Sequence, residues 1–170
     1  MNRIAFAVGL TALSTLLLEL TLIRIFDVLW FPNMAYMVIT LAMFSFGLSG
    51  VYVSIKPKFV RIKMETVLFI AAILLGVFSI TILPILNAFP FDYKQIGTDK
   101  TSVMLFRFLL IYLSIGIPFF LGGMILSWIF TSFSQKIQKL YFWDLSGAAI
   151  GCLVLVPLIP KLGAGGILFV

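Results

Sequence analysis

"KLYFWDLSGAAIGCLVLVPLIP", residues 139–160, decides the fold. One carboxylate, Asp144, follows three aromatic residues and opens a run with no further charge until Lys161. A bilayer core about 30 Å thick takes roughly 20 apolar residues per helix, which is the length of this stretch. Runs of the same kind recur at about 4–29, 34–55, 66–86 and 103–130, with the fifth at 140–159. A sixth begins at Leu162 and the sequence ends within it at Val170. The expected fold is all-α: a polytopic transmembrane helix bundle of five full spans plus the start of a sixth, one transmembrane domain over 1–170. About nine residues after Lys161 are too few to cross, so truncation of a longer chain is expected in preference to a short re-entrant piece.

Composition agrees. Of 170 residues, 62% are apolar and 11% charged, with a mean hydropathy of +1.21. A soluble domain of this size would lack polar material to cover its surface. Histidine is absent, which removes the commonest general base and neutral metal ligand. Cys152 is the single cysteine, so no disulfide forms within the chain. The sequence contains no CxxC, P-loop or HExxH. "GAGG" at 163–166 follows no strand and is not a dinucleotide loop. No catalytic residue, no metal and no cofactor is expected in this chain.

The basic excess, twelve Lys and Arg against six acids, is explained by topology and needs no nucleic acid. With the N-terminus cytoplasmic, the inner segments carry Arg3, then Lys56, Lys58, Arg61 and Lys63, then Lys136 and Lys139. The outer loops carry Asp27, a balanced set in "NAFPFDYKQIGTDKTS" (87–102), and Lys161. This is the positive-inside pattern. Arg3 before an apolar run resembles a signal peptide, but Glu19 interrupts the run and no A-x-A site follows. The first span is expected to be retained, in a bacterial or archaeal cytoplasmic membrane.

Ionisable residues at membrane depth are site hypotheses. Glu19 lies about 22 Å along the first helix and Arg107 about 6 Å into the fourth from the other side. The two are expected to share a depth and pair, forming an intramembrane polar cluster with Arg24 nearby. Arg24 sits near the boundary, where its stem can snorkel, and is three residues from Asp27. Thr11, Thr15 and Glu19 follow one another at four-residue steps. That stripe is either a polar path or a set of threonines bonded to their own helix. Asp144 is expected in the first turn of its helix at the cytoplasmic edge, where free amides and the dipole favour an anion. Gly147 and Gly151 form a GxxxG pair suited to close helix packing. Pro118, Gly122 and Gly123 in "IGIPFFLGGMILS" predict a kink or break in the fourth span.

Three stretches carry a family resemblance. "LSTLLLELTLIRIF" (13–26), with Glu19 and Arg24, resembles the first helix of membrane-integrated spermidine synthase-like proteins. "PFFLGGMILS" (118–127) resembles their proline-glycine span. "LYFWDLSGAAIGCLVLVPLIPKLG" (140–163) resembles their D-x-x-G-A-x-x-G helix, with Asp144, Gly147, Ala148 and Gly151 at the matching places. The resemblance implies a multi-span region that anchors a cytosolic aminopropyltransferase-like domain, in cis or in trans, and an activity in polyamine synthesis or a related transfer. That soluble catalytic domain lies outside these residues, and none of its catalytic residues maps here. The partners implied are the lipid bilayer and that domain, with no nucleic acid; an oligomer is compatible. A transporter or permease fragment with a polar site at Glu19 and Arg107, or a structural subunit of a membrane complex, is the alternative.

Overall fold

The computed structural model describes residues 2–29, 35–55, 64–88 and 101–168. They form five long helices: α1 (Asn2–Leu29), α2 (Ala35–Ile55), α3 (Met64–Ala88), α4 (Thr101–Ser132) and α5 (Ile137–Ile167). All five are long and apolar enough to cross a membrane. The shortest, α2, has 21 residues, which at 1.5 Å each spans the hydrocarbon of about 30 Å. The helices start and stop within about three residues of the expected spans at every boundary except the end of α5. Residues 56–63 and 89–100, which carry most of the orientation signal, lie outside the described residues.

The centre is built from α1 and α4. Windows of these helices are 44% and 39% buried, against 17–28% for the others. On one side α1 packs along α5, and on the other α4 holds α2 and α3. Direction follows from the contacts. Gly9 of α1 meets Trp143 and Gly147 of α5, and Leu13 meets Gly151, so α1 and α5 run parallel. Lys139 Nζ donates to Asn2 Oδ1 at 3.0 Å, tying their N-terminal ends together. Along α2 and α4, Ser45 lies by Gly116, Ser49 by Gly123 and Gly50 by Ser127, again parallel. Both pairs are separated by an odd number of intervening spans, as alternating crossings require.

Two apolar clusters fill the bundle. Near the N-terminal end of α1, Ala5, Val8, Ile125, Ile129 and Leu140 pack together; toward its far end, Leu22, Phe26, Ile82, Ile111 and Phe119 do. Lipid tails are as apolar as leucine, so association depends on close packing more than on burial. That makes the small residues decisive.

Of the kink or break expected at Pro118, a break is absent. α4 is one helix from Thr101 to Ser132, with Pro118 buried inside it. The irregularity lies in α5, at Gly163, where φ is 67° and ψ is 164°. That region is open essentially to glycine alone, and Pro157 and Pro160 weaken the turns before it. Beyond Gly163 the chain folds back. Gly165 approaches Leu83, and Ile167 joins Leu17 and Leu155 in one small cluster.

Candidate functional site

Among the described glycines, the closest backbone approach lies where α5 crosses α1. A Cβ on Gly147 would overlap the carbonyl oxygen of Gly9, and a Cβ on Gly151 would come 3.0 Å from the carbonyl oxygen of Leu13. The hydrogen that stands in place of each Cβ therefore points at a backbone oxygen, which is the geometry of a Cα–H···O contact. Such contacts contribute about 0.5–1 kcal/mol each. From the other side, a Cβ on Gly9 would meet the carbonyl oxygen of Trp143 at 3.1 Å. Trp143 also stacks edge-on against Phe6, with ring centroids 6.2 Å apart. The GxxxG pair is thus a backbone-to-backbone seam.

Gly122 and Gly123 have a similar office on α4. A Cβ on Gly122 would collide with Thr15 Cγ2, and one on Gly123 with Ser49 Oγ and the Phe46 ring. Among the described residues only Gly163 has a positive φ. Gly122 and Gly123 therefore serve close approach to α1 and α2, which is why α4 stays helical through them.

Asp144 is half-buried at the edge of the seam, one turn before Gly147. It does not occupy the first turn of α5. That helix begins at Ile137, because the chain passes from the 3-10 turn Ser134–Lys136 straight into it. Asp144 stands two turns inside, beyond the reach of the helix dipole. Lys139, expected in the inner loop, is likewise helical.

The cluster expected from Glu19, Arg24 and Arg107 is not assembled. Glu19 is half-buried, Arg24 is exposed, and no ion pair joins Glu19 to either cation; Arg107 finds its partner elsewhere. The reason is register. Ala5 and Val8 pack with Ile125 and Ile129, and Phe26 packs with Ile111, so α1 and α4 are antiparallel. Measured from the Thr15–Gly122 contact, Arg107 lies roughly 22 Å along α4 but Glu19 only roughly 6 Å along α1. The two differ in depth by about 16 Å. Arg24 and Asp27 make no ion pair among the described residues either, and Asp27 Oδ1 is buried without a hydrogen-bond partner there.

The hydroxyls of α1 are spent on their own helix. Thr11 Oγ1 donates to the Ala7 carbonyl at 2.9 Å, and Thr15 Oγ1 donates to those of Thr11 and Ala12 at 2.8 and 3.1 Å. The stripe ending at Glu19 is therefore self-bonded. Residue n of α1 lies level with about residue n + 138 of α5, which puts Asp144 near the level of Phe6. Glu19 is then about 20 Å deeper, so the two carboxylates form separate levels. Among the described residues no group of three His, Cys, Asp or Glu could hold a metal.

Gly9, Ser45 and Ser49 were not singled out from the sequence, though a signal existed. Ala5 and Gly9, like Ser45 and Ser49, are small residues four apart, and all four are buried. Comparison with protein-family models, with curated proteins and with solved structures finds no match to this chain.

Proposed function

We propose that the chain is the membrane-embedded module of a membrane-integrated spermidine synthase-like protein, holding an aminopropyltransferase-like domain at the cytoplasmic face. The observation that carries the reading is where the three family-like stretches lie. Gly151, from the D-x-x-G-A-x-x-G stretch, packs on Leu13, and Gly122, from the proline-glycine stretch, packs on Thr15. Leu13 and Thr15 both belong to the first stretch, so the three stretches meet on one helix. In this reading α1 and α5 form a rigid parallel pair whose N-terminal ends, joined through Asn2 and Lys139, face the cytosol. Asp144 and Trp143 edge that platform. A transporter reading draws on Glu19 and Arg107 sharing a polar site, and their difference in depth leaves it without that support.

The coding region beyond Val170, or an adjacent reading frame, should encode a strand–GxGxG–helix unit. Membranes carrying both parts should transfer an aminopropyl group to a diamine acceptor. A downstream sequence without such a unit, together with inactive membranes, would overturn the proposal.

A further inference from the structure

We infer that the cleft between α1, α3 and α5 is a binding site for one anionic phospholipid, its acyl chain in the cleft and its phosphate between Arg24 and Lys161. The cleft has a volume of about 290 Å³. Leu13, Leu17 and Thr21 form its α1 wall, Gly76 and Ile80 its α3 wall, and Leu158 part of its α5 wall; the folded-back Ile167 and Leu168 complete it. The inference is independent of the proposed catalytic partner.

Three observations identify the occupant. First, the polar side chains in the walls present no free donor. Ser14 donates to the Thr11 carbonyl at 3.0 Å, Thr21 to that of Leu17 at 2.7 Å and Ser79 to that of Leu75 at 2.8 Å. What remains toward the cleft is hydrocarbon, which suits a lipid tail and not a polar solute. Second, the cleft follows α1 from Leu13 to Thr21, about 12 Å, close to the roughly 15 Å of hydrocarbon in one leaflet. An extended tail entering from the far end of α1 fits that span. Third, charge waits at that end. Arg24 lies one turn beyond Thr21, and Lys161 one turn beyond Leu158, and both are exposed. The α1–α5 register sets the two cations within about one residue of the same level. Neither has an ion-pair partner among the described residues. Two cations above an apolar slot complement a phosphate above an acyl chain. With the N-terminus cytoplasmic, the site faces the outer leaflet.

Gly76 provides the test. A Cβ there meets nothing within 4 Å, so Gly76→Phe fills the cleft without displacing a helix. The protein, stripped of lipid in mild detergent, would be titrated with phosphatidylglycerol or phosphatidylcholine of identical chains and observed by native mass spectrometry. The wild type should bind one phosphatidylglycerol about 30-fold more tightly than phosphatidylcholine, the equivalent of about 1 kcal/mol per cation. Gly76→Phe, and Ser79→Leu as a second filling variant, should lose both lipids with the melting temperature of the lipid-free protein unchanged. Arg24→Gln with Lys161→Gln should reduce phosphatidylglycerol binding to the phosphatidylcholine level and leave the latter alone. Inorganic phosphate at the same concentration should not compete. Equal binding of the two lipids by the wild type, undiminished phosphatidylglycerol binding by both filled variants, or displacement by inorganic phosphate would each overturn the assignment.

Discussion

The carbonyl oxygen of Gly9 faces the α-carbon of Gly147 with no room for a methyl group between them. Both partners are backbone, so a side chain at residue 147 cannot be accommodated by a rotamer change. Gly147→Ala should therefore lower the melting temperature in detergent, at the level of about 1–3 kcal/mol typical of overpacking. Gly47→Ala, where a Cβ meets nothing within 4 Å, is the matched control and should be neutral or slightly stabilising, since alanine is the better helix former. Equal melting of the two variants would show that α1 and α5 do not touch through this seam.

Gly122 and Gly123 should respond differently to a compensating change. The nearest atom to a Cβ at Gly122 is the Thr15 methyl, so Thr15→Ser should recover much of the stability lost in Gly122→Ala. At Gly123, the Phe46 ring and its α-carbon at 3.1 Å crowd the same space as Ser49 Oγ. Ser49→Ala should rescue Gly123→Ala only in small part. A double-mutant cycle for each pair, read by thermal melting, separates the two cases.

Glu19 and Arg107 should behave as independent sites. A depth difference of about 16 Å places them beyond direct coupling, and distant substitutions add to within about 0.5 kcal/mol. Glu19→Gln keeps the shape and removes a half-buried charge that has no ion-pair partner among the described residues, so it should not reduce stability. Glu19→Gln combined with Arg107→Met should sum the single effects. A recovery in the double variant would restore the ion pair that the register excludes.

Orientation is testable with single cysteines in a Cys152→Ser background. Asn87 is exposed near the C-terminal end of α3, and Met64, at the other end of that helix, directly follows the basic residues 56–63 in the sequence. An impermeant maleimide on intact cells should label Asn87→Cys and leave Lys58→Cys unlabelled. The reverse pattern would invert the molecule in the membrane.

The helices were legible because each is a nearly uninterrupted apolar run, and run length fixes a span without any knowledge of its neighbours. Gly147 and Gly151 were legible for a similar reason, since two glycines four apart declare a packing face. What the sequence could not reveal was the surface opposite. Gly9 stands in a single small-residue pair with Ala5, a weaker signal than GxxxG, and only the parallel arrangement of α1 and α5 gives it meaning. Glu19 and Arg107 illustrate the same gap. Depth counted from the start of each span treats helices as equal and untilted, whereas Thr15 against Gly122 sets the actual register. Asp144 was misplaced because the polar stretch before it continues as helix, and the non-helical backbone at Gly163 lies in α5, where the backbone and not the side chain demands glycine.

The parallel pairing of α1 with α5 also orders events during synthesis. α1 leaves the ribosome before α5, and the residue that packs on Gly9 follows it 138 positions later. At 5–20 residues per second, that interval is roughly 7–28 s. Throughout it the Gly9 face of α1 has no helix to meet and must be held by lipid or by the insertion machinery, while α2, α3 and α4 enter and settle. The seam between α1 and α5 is thus completed only after α2, α3 and α4 have entered, and a ribosome stalled before residue 147 would leave the bundle open along that edge.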